Sequence, residues 1–219
     1  MPEINQKINQ ETNKLSNVVK LNKRFRGFLP VVVDLESAGF NCDKDALLEI
    51  AFVFVGFNET NPKQLIITDT LHYHIKPFPG ANIDNSALEF NKIQPYHPFR
   101  FAITEHEAFT QAFNVINEKV KAANCTRAVL VGHNPTFDLN FIQAAVKRTK
   151  LFKLNSFHKF TTFDTATLGA LLYKQSVLAR ACLAAKIDFD EKQAHGALYD
   201  ATKTAELFCN IVNKCADLI

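Results

Sequence analysis

Two kinds of apolar spacing follow each other along the chain, and their order restricts the fold. Strand-like runs rich in β-branched and aromatic residues come first: VVVDLES, LLEIAFVFVGF and LIITDTLHYHIKPF, with a turn-like segment between the last two. From about residue 104 the apolar residues recur at helical spacing, behind Thr104 as a cap and Glu107 three residues later. We therefore predict an α/β fold with a mixed sheet, an antiparallel meander followed by parallel strands, flanked by helices.

The remaining segments fit the same fold. RAVLVGHN has the composition of a short buried strand, and Pro135 suits the first position of a helix that ends near Arg148. Further helices are predicted over 13–25, 164–173, 176–186 and 197–217. Because no internal repeat or linker divides the chain, we expect residues 1–12 to be a flexible N-terminal extension and 13–219 to be one domain.

The composition argues against several classes of protein. The net charge of +3 is too small to indicate a nucleic-acid partner by itself. Five scattered cysteines without a C-x-x-C pair argue against a disulfide framework and a thiolate zinc site, and they predict a cytoplasmic protein. We expect no membrane association, because no stretch has the length of a membrane span and the N-terminus lacks the apolar core of a signal peptide.

Acidic residues stand at the ends of predicted core elements. Asp34 and Glu36 close the first strand two residues apart, so their side chains point to the same face. Asp138 falls in the first turn of the helix after GHNP, and Asp200 lies early in the last helix. Each of them alone could be a helix cap or a surface residue. Together, four carboxylates at one end of a sheet would repel one another unless cations neutralise them.

Two divalent cations would supply that balance. Oxygen ligands select Mg²⁺ or Mn²⁺ over zinc, and a pair of such ions roughly 3.5–4 Å apart is a common clamp for attack on a phosphodiester. His195 lies five residues before Asp200, and Gly196 permits it to occupy the loop ahead of the helix. We predict His195 to be the general base, against the alternative of an exposed loop histidine without a role.

Three motifs, in this order, resemble those of the DEDDh exonuclease superfamily: VVDLES, GHNPTFDLNFI and HGALYDA. The resemblance implies a ribonuclease-H-like fold and two-metal hydrolysis of nucleotides from a 3′ end. Carried over motif by motif, it implies a metal site formed by Asp34, Glu36, Asp138, His195 and Asp200. The four carboxylates would be the metal ligands, and the histidine would act as the general base.

Within that superfamily the chain is most similar to the ribonuclease T family, over nearly its whole length after the first dozen residues. The similarity is carried by segments such as KRFRGFLPVVVDLESAGFN, TTFDTATLGALLYKQSVLARAC and DFDEKQAHGALYDATKTAELFCNIVN. It implies a homodimer that trims single-stranded 3′ ends of tRNA and other small stable RNAs and releases nucleoside monophosphates. It also implies that single-stranded DNA 3′ ends are accepted.

The chain contains 20 Phe and no Trp, and most of the Phe are expected in the core. Four of them stand near the motifs and are predicted to stack on the terminal bases of a single strand: Phe40, Phe90, Phe137 and Phe160. The family resemblance implies the same role. Ser86 stands where the family has an acid, four residues before Phe90, which leaves base discrimination through that acid open, with Glu89 as a partial substitute.

Basic residues cluster in KLNKRFR, at Lys121 and Arg127, and in KRTKLFK. Each run alone could be a solvated face. The family resemblance implies that one set grips substrate backbone for the catalytic site of the opposite subunit: Arg24, Arg26, Lys121, Arg127 and Lys153. Phosphate contacts of this kind would make affinity fall steeply with salt.

Two other functions stay open on the sequence. A DNA proofreading or repair 3′–5′ exonuclease shares the three motifs, and a non-catalytic nucleic-acid-binding module could keep the fold, although no expected ligand is lost. His72 and His74 lie on one strand face, but nothing nearby completes a metal site, so we predict an exposed strand pair. Asp164 is expected to cap a helix.

Overall fold

The computed structural model describes residues 21–216. Five strands form one sheet: β1 (Phe28–Ser37), β2 (Leu47–Phe57), β3 (Leu65–His74), β4 (Arg127–Gly132) and β5 (Phe157–Asp164). The helices in this range are α1 (Asn85–Asn91), α2 (Glu105–Ala122), α3 (Thr136–Thr149), α4 (Thr165–Tyr173), α5 (Leu178–Ala184) and α6 (Ala197–Ala216). Within 21–216, every helix is too short or too polar to cross a membrane.

The sheet has the strand order β3-β2-β1-β4-β5. β1 pairs antiparallel with β2, and β2 with β3, whereas β4 pairs parallel with both β1 and β5. The predicted meander followed by parallel strands is therefore confirmed. Because β1, β4 and β5 run the same way, their carboxyl ends meet at one end of the sheet and their amino ends at the other.

Helices cover both faces of the sheet and hold β1 at its centre. On one face, Phe113 of α2 and Phe141 of α3 are fully buried in the larger core cluster. On the other face, α6 buries Ala197, Ala201 and Ala205 at four-residue spacing against β1 and β2. Each buried Phe side chain contributes about 1.5–3 kcal/mol to folding. The packing therefore fixes the position of whatever side chains β1 carries at its carboxyl end.

Some segments differ from the prediction. β5 and α1 were not expected from the sequence. The extension predicted over 1–12 lies outside the described residues, and so does most of the helix predicted over 13–25. The described part of that helix forms 3₁₀ turns at Leu21–Lys23 and Phe25–Gly27. Phe25 and Arg26 have φ angles of 51° and 61°, a left-handed conformation that cannot continue a helix.

Candidate active site

The carboxyl end of β1 carries the first two acids of the site. Asp34 lies opposite Ala51 of β2, and Glu36 lies opposite Glu49. Val32, two residues before Asp34, packs on the face that α6 covers, so both acids face the start of α6. Asp200 lies there, in the first turn of α6. Asp34, Glu36 and Asp200 each offer a carboxylate oxygen, and these oxygens all lie within 4.8 Å of one another.

Asp138 reaches the same end of the sheet from the first turn of α3. Only 5% of its surface is exposed. Asp138 lies outside the group of three oxygens, but its charge helps to raise the pKa of Asp34, which makes it a close neighbour of that carboxyl. The strand-to-helix junction after β4 thus brings a fourth acid to the position that the sequence predicted.

Burial and mutual repulsion give these acids unusual proton affinities. Burial raises the pKa of Asp34 well above its ordinary value, and the charges of Asp138 and Asp200 add to the effect. Burial and then the charge of Asp200 raise the pKa of Glu36 to about 8, and burial raises the pKa of Asp138 to about 8. Without a cation, the folded protein therefore holds protons here near neutral pH.

The donor set fits divalent cations of the Mg²⁺ class. All the candidate ligands are carboxylate oxygens, which is the chemistry that hard cations prefer. In addition, the Oδ1 atom of Asp200 is buried and has no hydrogen-bond partner. A buried carboxylate oxygen without a donor is costly, and a cation would satisfy it.

His195 lies on the loop directly before α6, as the sequence predicted. Its φ angle of 68° is left-handed, and its backbone N–H donates to Oδ2 of Asp200 at 2.9 Å. The imidazole packs against Phe90, with 4.1 Å between the ring centroids. The backbone of His195 is therefore tied to the acid cluster, whereas its ring rests on an aromatic side chain at the rim.

Three of the four predicted stacking residues border the acid cluster. Phe40 follows β1, is 89% exposed and lies edge-on to Phe137, with 6.2 Å between ring centroids. Phe137 directly precedes Asp138, and Phe90 on α1 is 63% exposed beside His195. Phe160 is exposed on β5, four residues before the carboxyl end of that strand. Its ring contacts the imidazole of His158.

Ser86 is committed to the cap of α1. Its hydroxyl donates to Oδ1 of Asp84 at 2.8 Å, and its backbone N–H donates to the same oxygen at 2.9 Å. Glu89 is exposed next to Phe90 on the same helix. Glu89 is thus an exposed carboxylate on the same helix as Phe90, one position before it rather than four.

The five predicted phosphate-binding residues lie at the amino end of the sheet. Arg24 and Arg26 precede β1, Lys121 lies in the last turn of α2 before β4, Arg127 is the first residue of β4, and Lys153 precedes β5. The guanidinium of Arg26 lies 5.4 Å from the centre of the Phe28 ring, and Phe28 pairs with Arg127. This basic patch and the acid cluster thus occupy opposite ends of β1.

Arg148, which belongs to the basic run KRTKLFK, is a structural residue. Its Nη2 and Nε donate to the two carboxylate oxygens of the buried Glu105 at 2.7 and 3.0 Å. Its Nη1 donates to the carbonyl oxygen of Cys42 at 2.8 Å, and its guanidinium lies over the ring of Phe78. Arg148 therefore joins α2, α3 and the loop after β1 that carries Phe40.

Two minor predictions have different outcomes. Asp164 caps α4 as expected, accepting hydrogen bonds from the backbone N–H groups of Ala166 and Thr167. The prediction that nothing near His72 and His74 completes a metal site was wrong, because Glu49 of β2 lies against both imidazoles. The sequence did not indicate this contact, because Glu49 is more than 20 positions from His72 and His74 and meets them through the pairing of β2 with β3.

Asn91 is a further residue that the sequence did not indicate. It is buried at the end of α1, its amide donates to the carbonyl oxygen of Ser37 at 3.0 Å, and its side chain interacts with Glu36. Asn91 therefore helps to hold the carboxyl end of β1. The only signal in the sequence is an amide that directly follows Phe90.

Comparison with known proteins gives one family. The model of the RNase T family, described as exonuclease, matches residues 31–208. Ribonuclease T of Vibrio vulnificus (strain YJ016) is 52% identical over 200 residues, which cover 91% of each chain. Ribonuclease T of Buchnera aphidicola subsp. Baizongia pistaciae is 51% identical over 202 residues, which cover 92% of this chain and 91% of that protein.

Solved structures with the same fold share much less sequence. E. coli exonuclease I in complex with a dT13 oligonucleotide matches with a TM-score of 0.66 at 13% identity, over 87% of this chain and 42% of that one. Exonuclease I from Methylocaldum szegediense matches with a TM-score of 0.61 at 16% identity, over 84% of this chain and 40% of that one. The chain thus spans about two fifths of these exonucleases, and the likeness confirms the predicted ribonuclease-H-like fold.

Proposed function

The chain belongs to the RNase T exonuclease family, and from that premise we propose that it is a metal-dependent 3′–5′ exoribonuclease. It hydrolyses the terminal phosphodiester of single-stranded 3′ ends and releases nucleoside monophosphates. Its substrates are tRNA and other small stable RNAs in the cytoplasm, and single-stranded DNA 3′ ends are accepted as well. The observation that carries this proposal is the group of buried carboxylates at the carboxyl end of β1.

The carboxylates would hold two Mg²⁺ ions, with Mn²⁺ as a substitute. Asp34, Glu36, Asp138 and Asp200 are the residues for this task, and their raised pKa values indicate that they bear negative charge poorly without cations. When bound, such ions lower the pKa of a water molecule and neutralise charge on the phosphate. The chain itself supplies the fixed oxygens, and the sheet keeps them in register.

His195 would accept the proton of the attacking water. Its backbone hydrogen bond to Asp200 keeps His195 beside the acids. Among residues 21–216, the imidazole ring of His195 makes no side-chain hydrogen bond. The ring now rests on Phe90, so it must turn toward the acids when the terminal nucleotide enters. Turning about one side-chain bond is a small movement compared with folding a loop.

Aromatic rings around the acids would hold the 3′ end. Phe40, Phe90 and Phe137 present faces or edges at the rim of the cluster, and Phe160 extends the aromatic surface along β5. Stacking tolerates any base, which suits an enzyme that removes successive nucleotides. With Ser86 engaged in a helix cap, Glu89 is the carboxylate available to contact the edge of a terminal base.

The basic patch would act on the active site of the other subunit in a homodimer. Asp34 lies six positions after Phe28 along β1, which corresponds to about 20 Å of extended strand. Arg26 and Arg127 at one end therefore lie too far from the acids at the other end to grip the phosphates next to the scissile bond. A second subunit that places its patch beside these acids would complete the site.

Loss of the carboxylate at position 34 tests the catalytic proposal. We expect Asp34→Asn to slow removal of 3′ nucleotides by at least about 100-fold, because a ligand of the cations is lost. A gel time course of a tRNA with a single-stranded 3′ end, with Mg²⁺ or EDTA, measures this. Asp43→Asn, which changes an exposed aspartate outside the cluster, should cut at the wild-type rate.

The same gel distinguishes the remaining functions. Structural neighbours bound to DNA favour a second candidate, a single-stranded DNA exonuclease, and the ratio of RNA to DNA rates ranks the two. Shortening that continues in EDTA, or in Asp34→Asn, would contradict two-metal hydrolysis by these residues. RNA that shifts on a native gel but keeps its full length would identify a binding module instead.

A further inference from the structure

We propose that Glu49, His72 and His74 form a site for one divalent transition metal ion, with Zn²⁺ as the first candidate. The site shares no ligand with the carboxylate cluster, although Glu49 lies opposite Glu36 across β1 and β2, and it does not depend on the proposed nuclease activity. It lies on β2 and β3, on the side of β2 away from β1. Its three ligands are the two imidazoles and one carboxylate that the pairing of these strands brings together.

Strand register explains why the three side chains meet. Glu49 is paired with His74, and His72 is paired with Ala51, two residues further along β2. Side chains two apart on a strand share a face, so both imidazoles lie on the same face as Glu49. The two imidazole rings lie edge to face with 4.7 Å between their centroids.

The distances suit one ion. Nδ1 of His74 is 2.9 Å from Oε1 of Glu49, Nε2 of His72 is 3.5 Å from Oε2, and one ligand atom from each residue lies within 4.8 Å of the others. Ligand atoms that bind one tetrahedral zinc at about 2.0–2.1 Å are roughly 3.3 Å apart. Small rotations of the imidazoles would therefore bring all three atoms to a common centre.

The ring nitrogens that face Glu49 are within reach of its carboxylate but poorly aligned for hydrogen bonds to it. Nε2 of His72 and Nδ1 of His74 are buried atoms without a partner in hydrogen-bond geometry, although Glu49 is close to both. Buried polar atoms are rarely left in this state. A metal ion would use the lone pairs of both nitrogens and the charge of Glu49 at the same time. Without an ion, the two carboxylate oxygens of Glu49 could each accept from one imidazole N–H, so the Zn²⁺ titration decides between these two arrangements.

The ligand types select the class of ion. Two imidazoles with one carboxylate suit zinc, iron, nickel or copper rather than Mg²⁺, which prefers oxygen ligands only. A cavity of about 420 Å³ lined by Glu49, His74 and His195, among others, leaves room for a water molecule as a fourth ligand. Arg100 also lines this cavity, and its positive charge acts on Glu49.

The test uses the full chain with Asp34→Asn and Asp200→Asn, which removes two of the four carboxylates that could compete for the ion. Binding of Zn²⁺ is measured by competition with a chromophoric chelator, and Co²⁺ is added separately to record visible absorption bands. We expect one Zn²⁺ per chain and Co²⁺ bands typical of four or five ligands that include nitrogen. In the same background, His72→Asn, His74→Asn and Glu49→Gln should each weaken Zn²⁺ binding at least about 10-fold.

His106→Asn is the matched control, because His106 is an exposed histidine outside the group. It should leave Zn²⁺ affinity and the Co²⁺ bands unchanged. Circular dichroism melts identify any variant that fails to fold, and the three ligand substitutions provide independent readings. Equal Zn²⁺ affinity in all variants, or no uptake by the parent at micromolar Zn²⁺, would overturn the proposal.

Discussion

Phe90 is in contact with the candidate base in the free protein, and under the proposed function this contact would tie substrate binding to proton transfer. Its ring lies 4.1 Å from that of His195, yet 63% of the residue is exposed. A terminal base that stacks on Phe90 would compete with the imidazole for the same aromatic face. Entry of the substrate would thereby displace His195 toward the acids that need it.

Replacing this ring should weaken substrate binding more than chemistry. We expect Phe90→Ala to raise KM for a single-stranded 3′ end by roughly 5- to 150-fold, the loss of about 1–3 kcal/mol of stacking. Steady-state rates with a short labelled RNA measure the effect. Phe99→Ala removes a ring that is 76% exposed and was not predicted to stack on the substrate, and it serves as the control. Equal KM values in the two variants would contradict the stacking role.

Sequence predicted some site residues and could not predict others. Asp34, Glu36 and Asp200 stand at the ends of elements with clear periodicity, so their meeting follows from topology. Glu49 and Asn91 act through strand register and through the end of an unpredicted helix, which depend on contacts between distant segments. The identity of these residues is known from the sequence, but their contacts become visible only in the folded structure.

At the scale of elements, the parallel strands separate charge. The amino ends of β1, β4 and β5 carry the basic patch, and the carboxyl ends carry the acids. Arg26 and Arg127 even lie close enough to lower the pKa of His158, after burial, by their positive charge. The direction of three strands therefore decides which end of the sheet carries positive charge and which end carries negative charge.

The salt dependence of RNA binding tests whether the basic patch contacts phosphates. We expect Arg26→Ala and Arg127→Ala each to weaken RNA binding and to reduce the slope of log K against log salt concentration by about 1, because one phosphate contact is lost. Filter binding between 50 and 200 mM salt, in EDTA, gives the slope. Lys63→Ala, in the exposed loop between β2 and β3, is the control. Equal slopes in all three variants would show that these arginines do not contact the phosphates of the RNA.

Elements with strong local signals were predicted well. β2 was predicted to start at Leu47 and end at Phe57, and it does. The capping box that was expected from Thr104 and Glu107 is present at the start of α2. β5 was missed because it is an edge strand with a partly exposed face and a register shift against β4, so its sequence lacks a buried apolar run. Its pairing is set by β4 rather than by its own composition.

At the scale of the whole molecule, the acid cluster links stability to pH. The folded pKa values of Glu36 and Asp138 are about 8, above ordinary values of about 4.3 and 3.9. The folded state then binds more protons than the unfolded state between these limits. Without divalent ions, the contribution of these two carboxyls to the free energy of unfolding is therefore greatest below about pH 4, and it is lost as pH rises toward 8.

We expect the Tm of the metal-free protein to fall between pH 5.5 and pH 8, and Mg²⁺ to raise Tm more at pH 8 than at pH 5.5. Scanning calorimetry in EDTA and in Mg²⁺ measures both trends. Glu36→Gln removes one of the raised carboxyls and should flatten the dependence. A Tm that rises with pH in EDTA would mean that the cluster does not retain its protons.

Mixed dimers test whether the patch serves the partner's site. One chain carries Asp34→Asn with an intact patch, and the other carries Arg26→Ala and Arg127→Ala with an intact acid cluster. In the mixed dimer one complete acid cluster meets one complete patch, so activity should recover to about half that of the wild-type dimer. Differently tagged chains, co-expressed and purified through both tags, supply the sample. No gain over the parent variants would place patch and site in the same subunit.

The pair of Arg148 and Glu105 has a consequence for any survey of mutational tolerance. The two residues are 43 positions apart, and each leaves a poorly solvated charge without a counterion when the other is replaced. Single substitutions at either position should therefore score as poorly as substitutions of the candidate catalytic acids, although both side chains are engaged with each other within the scaffold. A screen that ranks positions by lost activity alone would assign Arg148 and Glu105 to the nuclease centre. A double replacement that makes the pair uncharged, or reverses its charges, would restore activity and so distinguish these scaffold residues from the residues of the site.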